Sequence, residues 1–180
     1  MSAENSTTFL ISIFGKDQVG VVSSVTGQLF EVGANLADSS FAVLGEGFEF
    51  STVAAFEGDV SAADIESGLT SLDLLDGAQV SVTGFHYDIS RGDSAEITHL
   101  VEISGGDRPG LVARMSDVLV DYGANIVRMS SRRVDIADGT TDYRTRFAIH
   151  VAGDRFQALE AALANTAGSL RLQCRIDAIR

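Results

Sequence analysis

The stretch Thr8-Phe-Leu-Ile-Ser-Ile-Phe-Gly15, continued by Asp17-Gln-Val-Gly20 and Gly33-Ala-Asn35, decides how this chain is read, because it returns 90 residues later. Leu10-Ile-Ser-Ile13 falls on Leu100-Val-Glu-Ile103, Asp17-Gln-Val-Gly20 on Asp107-Arg-Pro-Gly110, and Gly33-Ala-Asn35 on Gly123-Ala-Asn125. Over residues 8–40, without a gap, 12 of 33 positions match their counterparts. Self-similarity at a fixed shift marks a duplicated structural unit. Two domains are therefore expected, residues 1–90 and 91–180, divided near the polar linker Ser90-Arg-Gly-Asp-Ser94.

Both units read alike. Phe9–Phe14 and Leu100–Ser104 are short β-rich runs bounded by glycine, the pattern of strands. A helix follows each, with Val21, Val22, Val25, Leu29 and Val32 at helical spacing in the first unit and Leu111, Val112, Met115, Leu119 and Tyr122 in the second. Pro109 is expected in the first turn of its helix, where a missing N–H has no intrahelical partner to lose. Gly33 and Gly123 stop the helices, since glycine takes the left-handed C-terminal conformation without a Cβ penalty. Hairpins come next. Ile126–Ile136 and Tyr143–Val151 flank Asp138-Gly139 in unit two, while Phe41–Leu44 and Phe48–Phe56 flank Gly45-Glu-Gly47 in unit one. Ile65, Leu69 and Leu72 mark a second helix in unit one; Phe156, Leu159 and Leu163 mark it in unit two. Val80–Phe85 and Leu170–Ile179 close the units as strands. The order β-α-β-β-α-β, twice, predicts an α+β protein of two tandem ferredoxin-like sandwiches, antiparallel four-stranded sheets with helices on one face.

Composition narrows the function. With 180 residues, 45% hydrophobic and 21% charged, and 1 Pro against 18 Gly, the chain is globular; disorder, collagen and coiled coil are excluded. Its apolar runs are far shorter than the roughly 20 residues that span a bilayer. No cationic segment with a long apolar core opens the sequence, so no membrane association and a cytoplasmic location are expected. The lone Cys174 can form neither an internal disulfide nor a thiolate cage, and His86, His99 and His150 are scattered, so no metal and no cofactor are expected. The formal charge of −12 is unevenly placed: residues 1–90 carry Lys16 against 13 acids, whereas residues 91–180 carry 12 arginines and 12 acids. Such a chain repels phosphate backbones, and direct nucleic-acid binding is not expected. RNA-binding modules of the same strand order also need a basic surface that unit one lacks.

Two glycine-bounded loops remain, Gly15-Lys-Asp-Gln-Val-Gly20 and Gly105-Gly-Asp-Arg-Pro-Gly110, each followed by Gly-Ala-Asn. In these motifs the chain resembles the ACT domain, a small-molecule-sensing module, and specifically the tandem ACT proteins typified by the glycine cleavage system transcriptional repressor. Asp107-Arg108-Pro109-Gly110 matches the family loop fully; Asp17-Gln18-Val19-Gly20 keeps the acid and the glycine. The resemblance implies a non-catalytic regulator that binds an amino acid or similar zwitterion at the loops between first strand and first helix. It assigns binding to Asp107, Arg108, Pro109, Gly110, Leu111 and Asn125, and to Asp17, Val19, Gly20, Val21 and Asn35. It also implies a homodimer and a protein partner, transcriptional machinery in the closest family members. The physics is compatible: free N–H groups at a helix start can hold a carboxylate, and an Asn amide can both donate and accept.

Plainer roles compete for the same residues. Asp17 and Asp107 suit helix caps, Gly33 and Gly123 suit helix stops, and Asn35 and Asn125 suit bonds to a neighbouring loop. Arg128 with Arg132, and Arg144 with Arg146, share strand parity and predict a basic patch; it is a solvated sheet face or meets acidic unit one, within a chain or across a dimer, with Glu46, Glu49 or Glu57 as candidate acids. No spacing identifies a nucleophile beside a base, and Cys174 reads as core. The enzyme reading that survives is an acylphosphatase-like hydrolase using Arg108 or Arg114 with Asn125. The remaining alternative is an assembly module with no ligand.

Overall fold

A computed structural model describes residues 6–90, 92–106, 109–136 and 141–179. The chain divides into two compact units between Ile89 and Ser90. Unit one runs β1 (Ser6–Lys16), α1 (Val21–Glu31), β2 (Ala34–Leu44), β3 (Gly47–Glu57), α2 (Ala62–Thr70), a 3-10 turn (Asp73–Leu75) and β4 (Gln79–Gly84). Unit two repeats this with β5 (His99–Gly106), α3 (Leu111–Asp121), β6 (Asn125–Asp135), β7 (Thr141–His150), α4 (Gly153–Ser169) and β8 (Gln173–Ala178). The sheets have orders β2-β3-β1-β4 and β6-β7-β5-β8, and all neighbouring strands in them are antiparallel. This is the predicted ferredoxin-like sandwich, twice.

Alternation along the strands builds each core. Phe9, Ile11 and Ile13 of β1, with Phe48, Phe50, Ala54 and Phe56 of β3, turn inward onto Val21, Val25 and Leu29 of α1 and Ile65 and Leu69 of α2. In unit two Val101, Ile103, Phe147 and Ile149 pack on Leu111, Met115 and Leu119 of α3 and Leu159 and Leu163 of α4. Strand residues of opposite parity face away from the helices and form an outer sheet face in each unit.

Several boundaries differ from expectation. β1 continues through Gly15, which therefore lies in the sheet and not in the loop; a Cβ there would meet Ala78 Cβ at 2.9 Å and the Phe48 ring at 3.0 Å. Pro109 lies outside the first turn, because Gly110 occupies the N-cap and Leu111 begins the helix. Leu170 caps α4, whose 17 residues outrun the pattern seen in the sequence, so the last strand starts at Gln173. The Asp138-Gly139 turn lies outside the described residues. Gly33 and Gly123 close α1 and α3 at φ 80° and 69°, as helix-stop glycines should. Among the described residues no helix is long and apolar enough to cross a membrane.

Candidate functional site

The corner between β1 and α1 is tied down from two sides. The Asp17 N–H donates to Glu46 O at 2.9 Å, joining the loop to the β2–β3 turn. Gln18 Nε2 donates to Leu74 O at 2.7 Å, joining it to the 3-10 turn. Gly20 then enters α1 at φ 98°, ψ −6°, a left-handed N-cap with no side-chain cap hydrogen bond. That conformation is why a glycine stands here. The capping role open to Asp17 is therefore not the one it plays. Ser24 N–H already bonds Gly20 O at 2.9 Å. The N–H groups of Val21, Val22 and Ser23 belong to the part of a helix that has no intrahelical acceptor, and together they carry partial positive charge.

A concavity of about 450 Å³ lies against this helix start, lined by Asp17, Gln18, Val19, Gly20, Val21, Val22, Ser23 and Phe41. Val19 is fully exposed at its edge, and Phe41 of β2 is 41% exposed while its ring stacks on Phe48 at 5.9 Å between centroids. The corner thus joins uncapped amides, a carboxylate and apolar side chains. Phe41 was not singled out in the sequence. Its only signal is an aromatic near the end of β2, where a strand running parallel to β1 must reach the same end of the sheet.

Unit two builds the same entry. Gly110, at φ 81° and ψ 4°, caps α3 without a side-chain hydrogen bond, Arg114 N–H bonds Gly110 O at 3.0 Å, and Leu111 is buried. Pro109 is exposed. Asp107 and Arg108 lie outside the described residues.

The asparagines are not at these corners. Asn35 pairs with Ala55, which is level with Thr8 at the start of β1, whereas the loop follows Lys16 at the other end. At about 3.3 Å per strand residue the two places are roughly 30 Å apart. Asn125, paired with His150, stands at the corresponding end of unit two, where its Nδ2 donates to Ser94 O at 2.8 Å. A crossover connection returns the chain to the far end of the sheet, so one unit cannot bring its Gly-Ala-Asn element to its own loop. The acylphosphatase-like pairing of Asn125 with Arg114 fails for the same reason, since Arg114 lies on the first turn of α3.

The predicted basic patch is on the outer face of the second sheet. Arg132 stands opposite Arg144, Ser130 opposite Arg146, and Arg146 and Arg175 flank Glu102. The patch has an acid of its own, which the sequence reading did not supply: Glu102 Oε2 accepts from Arg146 Nε, and Arg144 Nε lies 3.8 Å from Glu102 Oε1. The hydrogen bond from Arg146, aided by the charges of Arg144 and Arg175, holds the Glu102 carboxyl below the usual range. Arg144 Nε is buried and has no hydrogen-bond partner.

His99, His150 and Cys174 contact their own unit. His99 stacks on Phe156 with centroids 3.9 Å apart, and burial lowers its pKa against the opposing charge of Glu160. His150 Nδ1 lies 2.9 Å from Glu96 O. Cys174 packs against the second core, and burial pushes its thiol pKa up. Among the described residues no three His, Cys, Asp or Glu side chains are grouped to hold a metal.

ACT-domain models match residues 7–83 and 99–168. The chain belongs to the ACT-domain family. Its two ACT units account for the repeat, and membership marks a regulatory protein of a kind that binds small ligands. A protein of unknown function from Galdieria sulphuraria has a similar structure, with a TM-score of 0.77 at 23% identity, covering 98% of this chain and 100% of that one. A protein assigned as a glycine cleavage system transcriptional repressor superposes with a TM-score of 0.67 at 17% identity, covering 98% and 99%. Both show the tandem fold. No curated protein sequence matches the chain.

Proposed function

We propose that this tandem ACT protein is a non-catalytic sensor that takes an amino acid, or a small zwitterion like it, at the corner between β1 and α1. The observation that carries this is the Gly20 helix start, uncapped by any side chain and opening beside a concavity of about 450 Å³. A ligand α-carboxylate accepts from the first-turn amides of Val21, Val22 and Ser23, where charge and hydrogen-bonding capacity coincide. Asp17 takes the ammonium group, and Val19 and Phe41 contact an apolar side chain. Gly20 lets the ligand approach the backbone. Unit two offers Gly110 and Leu111 with Pro109, and its loop residues Asp107 and Arg108 complete the set by family pattern. An asparagine contribution from Asn35 or Asn125 requires a second ACT unit, because each sits at the far end of its own sheet.

Ligand binding regulates only if it favours one arrangement of the protein over another, and a protein partner then reads that difference. The fold of the glycine cleavage repressor assignment supports a transcriptional role at the level of resemblance. A homodimer and a cytoplasmic setting belong to the same proposal. Calorimetric titration of the purified chain with each of the twenty amino acids tests it: at least one binds with a stoichiometry of one or two per chain. No heat from any of them, in a sample whose folding is verified by circular dichroism, overturns the sensor reading and leaves an assembly module.

A further inference from the structure

The outer faces of the two sheets occupy equivalent places in the repeat but carry opposite chemistry. Across the first sheet the register aligns Ser40, Ser51, Ser12 and Ser81 in one row. Across the second, the equivalent row is Ser130, Arg146, Glu102 and Arg175. In the next row Ala42, Glu49, Phe14 and Gln79 are replaced by Arg132, Arg144, Ser104 and Gln173. One face is therefore shallow, and the other bears long cationic side chains.

The shallow face is grooved. Ser12, Phe14, Glu49, Gln79 and Ser81 line a depression of about 420 Å³ in which a half-exposed phenyl ring stands beside a carboxylate. A guanidinium fits that pair of neighbours, by cation–π contact with the ring and charge-assisted hydrogen bonds to the carboxylate. The opposing face has arginines to offer. Arg132 is exposed, stands directly opposite the like-charged Arg144, and has no partner among the described residues. Arg144 shares its nearest carboxylate, Glu102 at 3.8 Å, with Arg146, which already engages it. Like charges directly across a strand pair are unfavourable, so this corner is stabilised by an added anion.

We propose that the arginine-bearing outer face of unit two docks on the serine-lined outer face of unit one in a second copy of this chain, with Arg132 and Arg144 directed to Glu49 and Phe14. The occupant is identified by complementarity in both size and charge. Serines leave depth for arginine side chains, and the half of the chain that holds the groove carries the whole −12. Because each copy owns both faces, a two-fold dimer makes the contact twice, which a closed symmetric assembly requires. The proposal does not depend on amino-acid binding.

Glu49→Arg and Arg132→Glu, both at exposed positions, test it in the full-length chain. Analytical ultracentrifugation of the wild type should show a dimer whose dissociation constant rises about tenfold or more between about 50 mM and about 500 mM NaCl, as screened ion pairs require. Each variant alone should be a monomer with an undiminished melting temperature. An equimolar mixture of the two should recover the dimer, because in the heterodimer one contact is the wild-type pair and the other is the same pair with its charges reversed. A monomeric wild type, variants that remain dimeric, or a mixture that remains monomeric each overturns the proposal; the last result points to an acidic partner other than a second copy.

Discussion

The four serines Ser40, Ser51, Ser12 and Ser81 and the series Ser130, Arg146, Glu102 and Arg175 sit on the same backbone positions of a duplicated fold. Their inward neighbours on the central strands have hardly diverged: Ile11 and Ile13 correspond to Val101 and Ile103, and all four are buried. Close packing restrains the inner side, where any change of volume creates a cavity or a clash. The outer side is free to change. Duplication has thus kept two cores and two glycine-capped corners while giving the halves different surfaces and charges of −12 and zero.

The largest way to break this symmetry is in the cores. Phe56→Ala and Phe147→Ala remove fully buried rings from unit one and unit two respectively, and each should cost its own unit about 3–5 kcal/mol. Urea denaturation followed by a probe in each unit checks this; equal loss in both units from either substitution would show that the cores are not independent.

A smaller asymmetry lies before the last strands. Gly77 of unit one has φ 72°, while Arg171 at the corresponding place has φ 56°, the one described non-glycine residue with positive φ. Arg171→Gly should relieve about 1–2 kcal/mol of left-handed strain and lose about 0.5–1 kcal/mol to glycine's entropy, for a net gain of up to about 1.5 kcal/mol. A raised melting temperature of unit two is the expected reading.

At the first corner, Ser23→Asp places an acid in the uncapped turn of α1. It should stabilise unit one by about 0.3–1 kcal/mol through the helix dipole and, by occupying the same amides, abolish ligand binding. Thermal melting and calorimetry on one sample separate the two effects.

The smallest difference is in pH response. Burial lowers the folded-state pKa of His99 below its ordinary value of 6.5, so its neutral form is favoured in the fold. That contribution is complete above the unfolded value and is lost as pH falls through the lowered one. Unit two should therefore soften on acidification below about pH 6.5 more than a His99→Phe variant, which keeps an aromatic ring against Phe156. Identical pH profiles would remove His99 as the cause.

Most of the fold is legible in the sequence because alternation in Phe9–Ile13 and helical spacing in Val21–Leu29 each report one buried face. Gly33 and Gly123 are legible as glycines where the backbone turns left-handed, whereas the left-handed N-cap at Gly20 is not. The site is legible as a loop but not as a constellation. Asn35 follows Gly20 by fifteen residues, yet the crossover carries it to the other end of the sheet. Phe41, distant in sequence, comes to the corner because β2 runs parallel to β1. The Glu102–Arg146 pair needs strand register, which composition and parity do not supply. The length of α4 is obscured by its small residues, Ala161, Ala162, Ala164 and Ala167, which blur the apolar stripe.

The most direct measurement is amide NMR of the isotopically labelled chain during titration with the amino acid that binds in calorimetry. Binding at the uncapped corner should move the N–H resonances of Val21, Val22 and Ser23 downfield as their hydrogen bonds to the carboxylate form, and these shifts should vanish in Ser23→Asp. Saturable binding that leaves those three resonances in place would contradict it.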